Sequence, residues 1–278
     1  MKAQWENLIM SSLMLYIDHR VCKDGEGFTN YTGKFYKTKA QFNQFHSYSL
    51  PYKQIISDTS VTNATVMQGI NIDGNFKTIG EEGFQGILHH KGTLLFDQSH
   101  DSSEITGSFA VKEYNIYITN KAEEDLLFKT AKQINPKLPQ TEEGLDPNTE
   151  AYPAIFLKNM GGTMEPIGFG RIEDTISYVR AVILSNSAFS LDAVCGLLKK
   201  SAKLKLPILG DLPFNAIGAY SGVSYDYESM AATPLNHGMI WNVSISKIMP
   251  QTGSMGQLNL DVFAAFADFE IRSFGSEI

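Results

Sequence analysis

The stretch SYVRAVILSNSAFSLDAVCGLLKK, residues 177–200, changes period part-way along. Its first nine residues carry Val179, Ala181, Val182, Ile183 and Leu184, a short apolar run rich in β-branched side chains, and predict a strand. From Ser187 onward Leu191, Val194, Cys195 and Leu198 recur at three- and four-residue spacing, continued by Ala202, which predicts a helix with one buried stripe. Ser187 or Ser190 supplies its N-cap, because a side-chain oxygen can accept a first-turn N–H. Pro207 sets the far limit of that helix. A strand feeding into a helix places this half of the chain in a mixed α+β class.

Working outward, YPAIFLKNM (152–160), GMIWNVSISKI (238–248) and LNLDVFAAFADFEIRSF (258–274) predict further strands, the last two long. The glycine-rich run GGTMEPIGFGR (161–171) lacks the spacing of a phosphate loop and predicts a mobile loop between two strands. At the N-terminus, Trp5, Leu8, Ile9, Leu13, Tyr16, Ile17 and Val21 predict an amphipathic helix over 3–22, with Glu6, Ser11, Ser12 and Asp18 on its polar side. Residues 23–120 lose the helical period. Short apolar runs alternate with Gly, Asn and Asp about every ten residues, as in an all-β module. Asp73-Gly74 is a hairpin-turn candidate, and 110–120 reads as a strand with two unlike faces. Residues 121–149 connect: AEEDLLFKTAKQI can be helix or strand, and the proline-rich run that follows reads as loop.

Composition narrows the function classes. Charged residues make up 19% of the chain, below the roughly 25% usual for soluble proteins, which fits surface covered by partners. The net charge of −7 argues against a dedicated nucleic-acid binder, whose affinity comes from basic phosphate contacts. Cys22 and Cys195 each fall in an apolar segment and read as buried free thiols. The N-terminal run has no unbroken apolar core, which predicts no signal peptide, no membrane span and synthesis in a cytoplasm.

The stretch GFQGILHHKGTLLFDQSHD (83–101) looks most like chemistry. It reads as strand, turn, strand, with Gly92 free to take positive φ. Adjacent strand residues point to opposite faces, so His89 and His90 do not converge on one ion while extended. A hydrolase reading would recruit His89, His90, His100 and Asp101, but Ser99-His100-Asp101 is contiguous, whereas triads meet through folding. No catalytic, cofactor or metal site follows. The turn His89, His90, Lys91 and Gly92 is instead a candidate interface tip. Lys199, Lys200, Lys203 and Lys205 form the one basic cluster, either solvated lysines near a helix end or a strip facing DNA or an acidic partner. Phe35, Tyr36, Phe42, Phe45, Tyr48 and Tyr52 crowd together, either as module core or as a sugar-binding platform.

The runs Tyr152–Leu157, Arg180–Ser185, Phe189–Cys195 leading a helix, and Ala267–Ile271, with Leu50–Gln54 in the first half, resemble virion structural proteins of tailed bacteriophages, of the neck and tail-completion type. The match covers most of residues 150–275 and patches before that. It implies a tail-terminator-like fold: a small mixed β-sheet flanked by two helices, built from 1–22 plus 150–278. Residues 23–120 would be an inserted β-rich module and 121–149 a linker. The resemblance further implies a protein located in the virion. It would form homo-oligomeric rings, commonly hexamers, and join the tail tube to head-connector and neck proteins. DNA would pass, and no cofactor or membrane is involved. The alternatives are a head-closure, collar or tail-tube-associated role, or a carbohydrate-binding module.

Overall fold

The computed structural model describes residues 5–39, 44–129, 132–133, 144–146, 150–167, 172–213, 224–248 and 262–274. The chain opens with helix α1 (Trp5–Lys23) and then builds eight short strands: β1 (Phe28–Lys34), β2 (Tyr36–Lys37), β3 (His46–Ser49), β4 (Ile70–Ile72), β5 (Asn75–Lys77), β6 (Phe84–Leu88), β7 (Thr93–Phe96) and β8 (Ile105–Lys112). They form two four-stranded sheets, in the orders β1-β8-β4-β5 and β2-β3-β7-β6. Phe35, Tyr48, Leu50, Phe84, Leu94, Phe96 and Phe109 fill the space between them. The Asp73-Gly74 turn does join β4 to β5, with both residues at positive φ.

The chain continues through β9 (Asn115–Ile118), α2 (Glu123–Lys129), β10 (Lys132–Gln133), β11 (Ala151–Tyr152), β12 (Ala154–Ile167), β13 (Ile172–Ser185), α3 (Ala188–Lys199), β14 (Lys205–Ile208), α4 (Tyr227–Ala232), β15 (Asn236–Ile248) and β16 (Phe263–Phe274). Six of these strands make the main sheet, in the order β14-β15-β16-β13-β12-β9. The inner four are long and antiparallel, and β9 joins parallel to the first residues of β12.

The expected small sheet flanked by two helices is therefore corrected. The molecule is α+β but β-rich, with several sheets. Periodicity identified several of the strands but carries no information on how many share one sheet, and the single strand read over 110–120 is the end of β8 and the whole of β9, which lie in different sheets. The edge strand β9 comes from within the stretch read as inserted module, and α2 lies within the stretch read as linker. Helices α1 and α3 cover one face of the main sheet, where Ile155, Leu157, Val179, Ala181, Ile183, Ala267, Phe269 and Ile271 meet Leu13, Ile17, Val194 and Leu198. Leu126 and Leu127 of α2 cover only one end of the opposite face, over Phe156, Val182 and Leu184.

Three local readings also change. Helix α1 is not amphipathic: it lies between the main sheet and the β module, so even Ser12 and Asp18 are buried. Ser12 there accepts the Leu209 N–H at 2.9 Å. Helix α3 is capped by Ser187, which accepts the Ser190 N–H, but it ends at Lys199, well before Pro207. Lys203 turns through positive φ (68°) and the chain leaves as β14, where Pro207 sits on an edge strand that tolerates a missing N–H. The glycine-rich run is not a loop throughout either, since 161–167 belong to β12; 168–171 lie outside the described residues. Among the described residues no helix is long and apolar enough to cross a membrane.

Candidate interaction surface

The residues first read as chemistry are mostly committed to packing. His89, His90 and Lys91 form a 3-10 turn, and Gly92 takes φ 57°. His89 is fully buried, and its carbonyl accepts the Ile55 N–H at 3.0 Å. Burial, helped by the nearby charge of Lys112, pushes its imidazole down to about 4. Burial and Lys91 do the same for His90. A Cβ on Gly92 would lie 2.5 Å from the Lys53 carbonyl oxygen. The candidate tip is thus covered by the chain's own residues 52–55. His100 lies elsewhere, on the Phe96 ring and within hydrogen-bond distance of the Glu82 carbonyl. Among the described residues no group of three His, Cys, Asp or Glu is placed to hold a metal ion.

Of the aromatic cluster, Phe35, Tyr48 and Tyr52 are buried in the module core. The Tyr48 hydroxyl accepts the His100 N–H at 2.7 Å. Phe42 lies outside the described residues.

Lys199, Lys200, Lys203 and Lys205 are all exposed, but on a helix end, a turn and a strand rather than one helical face. The Lys203 ammonium lies 3.6 Å from the centroid of the Trp241 ring, and the Arg272 guanidinium lies over the same ring at 4.5 Å. The indole is therefore held between two cations.

Sequence reading missed a buried polar clasp that joins α1, the β module and the segment before α4. Lys112 donates to Asp18 at 2.7 Å, and Asp18 also accepts the Tyr225 hydroxyl at 3.4 Å. Beside it, His19 Nδ1 lies 2.7 Å from Asp58 Oδ2, while the Ser60 hydroxyl and the Tyr227 N–H donate to Oδ1 at 2.6 and 3.0 Å. The His19 ring stacks on Tyr227 at 4.5 Å. Burial pushes the Asp58 carboxyl up, but these donors outweigh it and hold the group below its usual range. Ser, His and Asp are together here, yet not as a nucleophile and its base. Nucleophilic catalysis needs the serine on the ring nitrogen that the acid leaves free. In this cluster both approach Nδ1, with Ser60 Oγ at 3.4 Å. No local sequence signal marked it, since Asp18 reads as one of several polar residues of the helix.

Two stretches of strand backbone lack a neighbouring strand among the described residues. Strand β9 covers β12 only at 154–157, and β14 covers β15 only at 236–239. Among the described residues no strand pairs with the outer side of 158–167 or of 241–248. These two segments sit at diagonally opposite corners of the main sheet. Residues 160–165 and Asn242, Ser244, Ser246 and Lys247 along them are exposed, with Met160 and Met164 at 48% and 61%, while Val243 is buried. By contrast the edge at β9 is closed: the Gln54 side chain accepts the Ile116 N–H and donates to the Ile116 carbonyl, both at 2.9 Å. The face opposite α1 and α3, which α2 covers only at one end, carries Tyr178, Arg180, Asp268, Glu270, Arg272 and Trp241, with Arg180 also donating to Glu123 of α2. No protein-family model matches the chain, and no curated protein matches it.

Proposed function

We propose that this chain is a structural, ring-forming subunit of a tailed-phage virion, of the neck or tail-terminator-like type, which joins the tail tube to the head connector. The observation that carries the self-assembly part is the pair of open strand edges at opposite corners of the main sheet. Unpaired edges are templates for strand addition, and proteins that stay monomeric cover or blunt them. An edge on each side of one subunit gives a head-to-tail contact, and such contacts generate rings when the rotation closes. The virion part rests on the resemblance of residues 150–275. The low charge content and the commitment of the histidine turn and the clasp to packing fit a protein whose work is assembly.

In this reading the exposed lysines 199, 200, 203 and 205 are the surface that passing DNA meets. Light scattering and negative-stain microscopy of the purified protein, alone and with a tail-tube protein, test the reading. Rings that bind the tube end are expected. A monomer at all concentrations that ignores tube protein would sink it.

A further inference from the structure

The open edges carry more than the statement that copies meet. We infer that residues 158–165 of one copy pair antiparallel with residues 242–248 of the next, offset by about four residues, so that the main sheet continues from subunit to subunit. The inference rests on the self-assembly reading and names the contact that makes it.

Direction comes first. Along the order β12-β13-β16-β15 every neighbour is antiparallel, so β12 and β15 run in opposite senses. A second copy in the same orientation therefore offers its β12 to this copy's β15 as an antiparallel partner. No turning over is needed.

Offset comes next. Through the registers, Asn242 and Ser244 lie level with Tyr178 and Arg180 of β13, whereas Thr163 and Glu165 lie level with Ile176 and Asp174. Bringing the two edges together thus requires one copy to slide along the strands. Only an even slide keeps the helix-covered face on one side, because a slip of one residue exchanges the faces. A slide of about four residues sets Glu165 opposite Asn242, Met164 opposite Val243 and Thr163 opposite Ser244. Past the bulge at 159–162 it also brings Asn159 to Lys247 and Lys158 to Ile248. A slide of two pairs fewer residues, because 154–157 are already covered by β9, and a slide of six sets Pro166, which has no N–H, opposite Val243.

Charge supports the same register. Glu165 faces another acid, Asp174, across its own hairpin, and like charges directly opposite repel. In the continued sheet it arrives on the face and at the level of the Lys203–Trp241–Arg272 stack, which is cationic. The bulge at 240–242 falls at the end of its matched segment, and the bulge at 159–162 falls within the other, where it interrupts the pairing locally without abolishing it.

The slide has a geometric consequence. Four strands per copy with an offset of about four residues is about one residue of shear per strand, the proportion found in closed barrels whose strands tilt by about 36°. The stagger is therefore the kind that closure of the continued sheet into a ring requires. The helices α1 and α3 lie on one side, and the face with Trp241, Arg180 and Arg272 lies on the other.

Single-cysteine variants T163C and S244C test the pairing, since both positions are exposed and the native Cys22 and Cys195 are buried. Directly opposite residues bring Cβ atoms close enough for a disulfide. Under air oxidation, a mixture of the two variants is expected to link at least tenfold more than either alone, and the double variant is expected to give a ladder ending at the ring. S246C in place of S244C is expected to link less. Linking of T163C to itself, or preference for S246C, would overturn the pairing. Rings seen by microscopy without any link would overturn it while leaving the ring reading intact. A monomer by light scattering would overturn both.

Discussion

Lys112 Nζ lies 2.7 Å from the Asp18 carboxylate, and both side chains are almost wholly buried. The pair ties the last residue of β8 to the C-terminal third of α1. Removing one partner strands a charge in the interior. Lys112→Met is expected to cost about 3–5 kcal/mol, and the double variant Asp18→Leu/Lys112→Met to recover most of it. Urea denaturation of the three proteins checks this, and a double variant no better than the single would refute it.

The histidine turn predicts an acid sensitivity with a definite window. Folded His89 stays neutral down to about pH 4, whereas the unfolded chain takes up that proton near 6.5. The unfolded state therefore binds more protons between those values, so stability is full above the upper one and falls as pH drops toward the lower. The loss from His89 is roughly 3 kcal/mol, with His90 adding in the same direction. Urea midpoints measured between about pH 7 and pH 4.5 should fall, and His89→Leu should flatten the slope. An unchanged slope in that variant would assign the effect elsewhere.

Gly92 is held by both conformation and space. Its φ of 57° disfavours a side chain, and a Cβ would meet the Tyr52 and Lys53 carbonyl oxygens at 2.7 and 2.5 Å. Gly92→Ala should destabilise by about 2 kcal/mol or more. A thermal melt within one degree of the parent would contradict the geometry.

The closed edge at β9 is equally testable. Gln54→Leu leaves the Ile116 N–H and carbonyl without their partner, at an expected cost of about 1–3 kcal/mol. Amide exchange at Ile116 should accelerate, and the newly opened edge should raise the tendency to aggregate. Protection at Ile116 equal to the parent's would count against the role assigned to Gln54.

The sequence made legible what is local. The strand–helix switch at 185–188, the Ser187 cap, the Asp73-Gly74 turn and the positive φ of Gly92 all follow from nearest neighbours. Partnership was not legible. Nothing near Asp18 announces Lys112, 94 residues away, and nothing near Gln54 announces Ile116. The amphipathic reading of α1 failed for the same reason, because the module that buries its polar side is assembled from distant strands. Glycine content misled at 161–162, where the residues serve a bulge in a long strand rather than a loop. Open edges are legible only once registers are known, since they are defined by where a neighbour stops.

Phe28 and Lys112, the first and last strand residues of the β module, stand opposite each other in the β1–β8 pair. The chain thus enters and leaves the module through one doorway two strands wide. Lengthening or trimming the hairpins beyond that doorway leaves the route through the main sheet untouched. The module can be re-tailored as a cassette, while Gln54 against β9 and the clasp at Asp18 and Asp58 mark positions any replacement has to reproduce.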